Sequence, residues 1–252
     1  MNLLHRLVCR SALWRWTVEL WLIPWALEGL DPGEDVLELG PGPGLTTDVL
    51  RERAARLTAV ELDPRLATSL RERMKNTNVD VVQADATAMP FPDGSFSAVL
   101  SFTMLHHVPS VTLQDQLLAE AWRVLRPGGV FAGTDTAPGV LLRLTHIGDT
   151  MVRVDPVTLG QRLETAGFDE VEVQKRLGEF RFRAIRRIVD ESYDNAEDLL
   201  VRNRTLLDKL SKELIEVETV DAKHLLRLIE EYAVEEDLSC EQPVISLSGH
   251  RG

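Results

Sequence analysis

Apolar positions along the chain fall into two periods that alternate. Val36, Leu37 and Leu39 form a short apolar run that stops at Gly40, Gly42 and Gly44, and Leu45 to Arg56 then carries the spacing of an amphipathic helix. Further strands are predicted over Leu57 to Val60, Val79 to Ala84 and Ala98 to Phe102. A helix leads through Trp122 into a fifth strand by Val130. Asp155-Pro156 opens a helix through Thr165, Gly167 caps it, and Val171 to Gln174 and Phe180 to Ala184 alternate as two closing strands. Strands separated by helices in this way predict an α/β domain with a mainly parallel sheet. From Ile185 the character changes. Leu199, Leu200, Leu206, Leu207, Leu210, Leu214 and Val217 fall at helical spacing, and Asp221 caps a second helix through Leu225, Leu228, Ile229 and Tyr232. The chain thus divides into four parts: an N-terminal helical cap over 1–35, an α/β domain over 36–184, a helical hairpin over 185–237, and a disordered end over 238–252.

The first part is apolar but interrupted. Leu3, Leu4, Leu7 and Val8 precede Trp14, Trp16, Trp21 and Trp25, while Arg6, Arg10, Arg15 and Glu19 break the run and Pro24 bends any helix. No uninterrupted stretch is long enough to span a bilayer, and none resembles a cleavable signal. Two readings stay open: helices packed over the glycine corner, or peripheral membrane contact through the tryptophans.

That corner is where chemistry is expected. Glycines between a strand and a helix let a ligand approach the backbone closely, and the helix start adds free N–H groups. A nucleotide-like cofactor fits such a corner. In a dinucleotide fingerprint, G-x-G-x-x-G, the third glycine would fall one place after Gly44, and Glu38 would set a carboxylate beside a pyrophosphate. Glu38 suits a ligand carrying an ammonium group instead. Glu61, at the end of the second strand, stands where an acid takes ribose hydroxyls.

The segment E-L-G-P-G-P-G (38–44) resembles the first motif of class I S-adenosylmethionine-dependent methyltransferases. Asp85-Ala86 after the third strand, Met89 to Phe96, the fourth strand leading into Met104-Leu105-His106-His107-Val108, and Trp122 to Val130 resemble that family's later motifs in the same order. The resemblance implies a Rossmann-like seven-stranded sheet of order 3-2-1-4-5-7-6, last strand antiparallel, with helices on both faces. It implies S-adenosyl-L-methionine as cofactor, held by Gly40, Gly42 and Gly44, by Glu38 at the methionine end, by Glu61 at the ribose, by Asp85 and Ala86 at the adenine, and with Ser101 among the cofactor-binding residues. One departure is Ser97, where the family commonly carries an acid.

Charge and absences narrow the acceptor. The chain has 252 residues, 44% of them hydrophobic, with 40 acidic and 28 basic side chains and a net charge of -12. Phosphate backbones demand clustered Lys and Arg, so a nucleic acid is not the expected acceptor, and a small-molecule or apolar one is. Cys9 and Cys240 are too few for a disulfide framework or zinc cluster, which makes a reducing cytoplasm the default. After the fourth strand there is neither the Asp/Asn-Pro-Pro-aromatic tetrapeptide of amino-methylating enzymes nor the Pro-Cys pair of cytosine C5 methylation. Ser101-Phe102-Thr103-Met104 is of the kind common in small-molecule O-, C- and N-methyltransferases.

Methyl transfer from a sulfonium is an in-line displacement that needs alignment, and a base when the acceptor must lose a proton. His106 is the candidate base, with His107 beside it, at the sheet's carboxyl edge; loop packing is the alternative for both. Asp135, Arg143, His146 and Asp149 among Leu141, Leu142 and Leu144 read as a substrate lid. The tail, about Ile185 to Glu230, resembles the C-terminal helices of FtsH-type AAA zinc metalloproteases, without an H-E-x-x-H motif or a phosphate-binding loop. It is expected to be an appendage, and a homodimer through its helices is one use for it. Two rivals remain: an NAD-dependent oxidoreductase, and a non-catalytic scaffold whose tail binds a partner.

Overall fold

The computed structural model of the chain describes residues 11–137, 151–176, 178–187, 190–217 and 220–232. They fall into two units that divide after Ile188.

The first unit opens with α1 (Ala12–Thr17), a π-helical turn (Val18–Leu22) and α2 (Ile23–Ala26). The Ser11 hydroxyl accepts the Trp14 N–H and starts α1. Pro24, which has no N–H to donate, stands in the first turn of α2, where the π turn hands over. There follow β1 (Asp35–Leu39), α3 (Leu45–Leu50), β2 (Arg56–Glu61), α4 (Pro64–Arg73), β3 (Val79–Gln83), β4 (Phe96–Phe102), a 3-10 turn (Leu105–His107), α5 (Val111–Val124), β5 (Leu125–Thr136), α6 (Pro156–Thr165), β6 (Phe168–Arg176) and β7 (Glu179–Arg186). The sheet order is β3-β2-β1-β4-β5-β7-β6, with β7 antiparallel to both neighbours and the first five strands parallel. This is the expected Rossmann-like sheet.

Period-two alternation gives each strand two buried faces. On one face Leu37, Leu39, Val99 and Phe131 pack against Leu117, Leu118 and Val124 of α5 and Leu159 and Leu163 of α6. On the other, Val36, Ala98, Leu100, Val130 and Ala132 receive Val18, Leu22, Ile23 and Leu50. The α1–α2 stretch is therefore part of the core. α4 covers β2 and β3 through Ala67, Leu70 and Met74, and it is capped by Asp63, whose carboxylate accepts the Arg65 and Leu66 N–H groups.

Several boundaries differ from the sequence expectation. The helix expected over Leu45 to Arg56 stops at Leu50, because the Asn78 amide donates to the Arg51 and Ala54 carbonyls and turns the chain into β2. β3 ends at Gln83, one residue before Ala84; β4 begins at Phe96, and β6 and β7 extend beyond their apolar centres. Asp135 belongs to β5 and not to a lid. Arg143, His146, Asp149 and the leucines among them lie outside the described residues, as do 1–10 and 238–252. Ser97 ties the entry of β1: its hydroxyl accepts the Asp35 N–H and lies 2.8 Å from the Pro32 carbonyl.

Among the described residues the second unit contains three helices where a hairpin was expected: α7 (Asp190–Arg202), α8 (Arg204–Val217) and α9 (Ala222–Tyr232). The extra break falls at Asn203, whose side-chain amide donates to the Leu199 carbonyl. Asp221 caps α9, accepting the His224 N–H, and His224 meets Glu213 of α8 at 2.5 Å. Leu228 is buried there, whereas Leu199, Leu200, Val201, Ile215 and Leu226 remain exposed.

Candidate functional site

Parallel strands bring their carboxyl ends to one edge, and there β1, β2, β3 and β4 deliver Gly40, Glu61, Asp85 and Thr103. A cleft with about 590 Å³ of empty space opens at this edge. Its floor is the glycine turn, Gly40 to Pro43 with Leu45 and Thr46. Phe102, Thr103, Met104 and His107 form one wall, and Trp14, Val18 and Leu22 the other.

The turn's backbone is left-handed at all three glycines. Gly42 decides where a ligand can go: its φ is +54° and nothing lies within 4 Å of the place a Cβ would take. Gly44 meets the opposite condition, since a Cβ there would collide with Arg73 and Leu70. Arg73 holds the turn from below, donating to the Pro43 and Gly44 carbonyls and to both Asp48 oxygens.

Two acids stand behind the turn. Glu61 is nearly buried; one carboxylate oxygen accepts the Gly42 N–H at 2.9 Å, and the other the Asp63 N–H at 2.9 Å. Its remaining lone pairs are available to ligand hydroxyls. Glu38 is 1% exposed. Its two oxygens accept the hydroxyls of Thr46 and of Thr47, the latter at 2.6 Å. Burial pushes its carboxyl up to about 7, outweighing those two hydrogen bonds, with Asp48 and Glu61 adding repulsion. A buried acid with no cationic partner among the described residues, directly under a ligand turn, favours a positively charged group above it.

The other sequence candidates are distributed unevenly. Asp85 is exposed at the end of β3, its carboxylate accepting the Thr87 N–H and hydroxyl, and Ala86 is half-buried against the core. Ser101 is fully buried in β4, between Leu39 of β1 and Gly133 of β5. His106 does not line the cleft. It is 2% exposed, with its Nδ1 2.5 Å from Asp135 Oδ1, and its own N–H donates to Asp135 Oδ2. The cleft receives His107 instead, whose ring lies 4.2 Å from that of His106. Thr103, in the cleft wall, has φ +50°, a conformation that a non-glycine residue adopts at a cost.

Sequence reasoning missed the roles of Thr46, Thr47 and Asp135; the N-terminal helices do pack over the glycine corner, as one of the two readings of that segment held, and Trp14, Val18 and Leu22 supply the cleft wall. Among the described residues no group of His, Cys, Asp and Glu could hold a metal ion, and no helix is long and apolar enough to cross a membrane.

Residues 37–133 match the family model for a methyltransferase domain. A Mycolicibacterium smegmatis protein named as a probable S-adenosylmethionine-dependent methyltransferase is 34% identical over 154 residues, 59% of this chain and 56% of its own length. A fatty-acid O-methyltransferase of the same organism is 39% identical over 108 residues, covering 42% of this chain and 38% of its own. An ATP-dependent zinc metalloprotease FtsH of Rubrobacter xylanophilus is 66% identical over 70 residues, 28% of this chain but 11% of the protease. The chain thus spans little more than half of the first of these relatives and less of the others. A SAM-dependent methyltransferase structure from Thermotoga maritima superposes with a TM-score of 0.57 at 20% identity, covering 73% of this chain and all of its own, a likeness of fold.

Proposed function

We propose that this chain, whose residues 37–133 match the family model for a methyltransferase domain, transfers the methyl group of S-adenosyl-L-methionine to a small or lipid-like acceptor. The observation that carries the proposal is the pairing of Gly42, open to the cleft, with the buried Glu38 and Glu61 behind it. In this reading Glu61 takes the ribose hydroxyls, Glu38 faces the cationic methionine end, and Asp85 and Ala86 border the adenine. Ser101 backs the turn from within the sheet. The acceptor side is apolar, since Trp14, Val18, Leu22, Phe102 and Met104 furnish most of the cleft wall. The fatty-acid methyltransferase similarity supports the same acceptor class.

When bound, the cofactor supplies an activated methyl on a sulfonium. The chain's own task is to align an acceptor against it and to keep water out. For an acceptor that must lose a proton, His107 is the group in position to take it, and the buried Asp135–His106 pair fixes the ring on which His107 leans. His107→Asn is expected to lower kcat about a hundredfold on such an acceptor, with the KM for cofactor little changed. An unchanged kcat would remove the base from the scheme.

Calorimetric titration with S-adenosylmethionine, S-adenosylhomocysteine and NAD tests the whole reading. Binding of the first two but not of NAD is the expected result. Tight NAD binding would transfer the site to hydride chemistry, and cofactor binding with no turnover on any acceptor would leave a scaffold.

A further inference from the structure

The helical stretch that walls the cleft has a second face. Val18 and Leu22 are buried and, with Trp14, turn toward the cleft, but Trp16 and Leu20 are each 67% exposed and Trp21 is 53% exposed. With Pro24, also exposed, these positions follow helical spacing and make one continuous apolar stripe. Soluble surfaces seldom line up two tryptophans and a leucine in this way.

The charges beside the stripe are informative. The Arg176 guanidinium stacks 3.8 Å over the Trp21 ring, and Arg15 is exposed next to Trp16. Arg181 lies 5.5 Å over Trp25 and donates to the Trp25 carbonyl and to Glu28, so that Glu28 is already neutralised. Glu19 is the remaining acid on this stretch and is half-buried. Arg15 and Arg176 thus put two guanidinium groups beside the stripe, with Glu179 facing Arg176 across β6 and β7. Tryptophan side chains favour the headgroup level of a bilayer, where an apolar ring body meets a polar edge, and flanking guanidinium groups meet lipid phosphates there.

We propose that Trp16, Leu20 and Trp21, flanked by Arg15 and Arg176, dock this protein on the surface of an anionic phospholipid bilayer. Docking on this face brings the helix that walls the cleft to the lipid. An apolar acceptor then reaches the cleft without crossing bulk water. That consequence rests on the methyl-transfer reading; the docking does not.

The test is co-sedimentation of the full chain with vesicles of phosphatidylcholine mixed with phosphatidylglycerol, beside vesicles of phosphatidylcholine alone. Binding is expected to the mixed vesicles, weaker to the neutral ones, and to fall as added salt shortens the screening length. The triple variant Trp16→Ala, Leu20→Ala, Trp21→Ala should lose about tenfold or more in vesicle affinity while keeping its cofactor affinity and melting temperature. Absence of binding by the unaltered chain, or equal binding by the triple variant, would overturn the proposal. So would a dimer in free solution that the triple variant abolishes, because the stripe would then be covered by a second copy. Vesicle binding by a chain that fails to bind S-adenosylmethionine would leave the docking standing and remove the methyl-transfer reading.

Discussion

Glu38→Gln is expected to make the unliganded protein more stable at pH 8 and at the same time a poorer cofactor binder. The carboxyl of Glu38 is buried among apolar strands, accepts only two threonine hydroxyls, and titrates near 7 instead of 4.5. Because the folded value is raised, the stabilising contribution of this group is complete below about 4.5 and is lost as the pH climbs through about 7. At about 1.4 kcal/mol per pH unit, the ionised form costs the folded state about 3 kcal/mol by pH 8. A neutral amide of the same shape avoids that cost. It also forfeits the attraction for a cationic ligand, a loss of about tenfold to a hundredfold in affinity for a charge-assisted contact. Urea unfolding at pH 5 and pH 8, with calorimetry in two buffers of different ionisation enthalpy, separates the two effects. The variant should gain at pH 8 and gain little at pH 5, and the unaltered protein should release a proton on binding near pH 7. Equal stability of both proteins at pH 8 would mean that Glu38 stays neutral or solvated.

Gly42→Val should leave the fold and remove the cofactor. The left-handed backbone at this position strains any side chain by about 1–2 kcal/mol. Apart from Gly42 and its two chain neighbours, no residue comes within 4 Å of the new Cβ. The isopropyl group enters the cleft, in the space assigned to the cofactor. Thermal unfolding should therefore shift modestly, while binding of S-adenosylmethionine becomes undetectable at concentrations that saturate the unaltered chain. Undiminished binding would show that the ligand lies elsewhere. Gly44→Val is a useful contrast, since its side chain would strike Arg73 and Leu70 and damage the fold itself.

Sequence and structure agree best where chemistry and periodicity coincide. The glycine turn was legible because a strand end, three alternating glycines and a helix start fall within one short window. The sheet order was legible because the later motifs come in sequence order and resemble a known family. What the sequence hid were contacts between distant positions. His106 and His107 are adjacent on a 3-10 turn, so no period says which faces inward; Asp135, on β5, selects His106. Thr46 and Thr47 stand in the first turn of α3 and belong to no period, although a Thr pair directly after a glycine turn is a usable signal for a buried acid behind it. Ser97 appeared as a departure from a family pattern and turned out to anchor β1. The apolar residues of α1 and the π turn read as cap or membrane contact, and burial divides them: Val18 and Leu22 inward, Trp16 and Leu20 outward.

The position of β7 between β5 and β6 constrains the order in which the chain can be completed. Five strands emerge before either closing strand, but β6 finds no partner among them, because its neighbour among the described strands is β7. A chain still tethered to the ribosome therefore keeps the edge of β5 open, from Val130 to Thr136, until residues up to Ile185 have been made. The β6–β7 hairpin, turning at Gly178 with its left-handed backbone, forms from local contacts and closes that edge as a unit. Until it does, β5 is paired on the β4 side alone and presents an open edge rich in buried side chains, the kind of surface that invites aggregation.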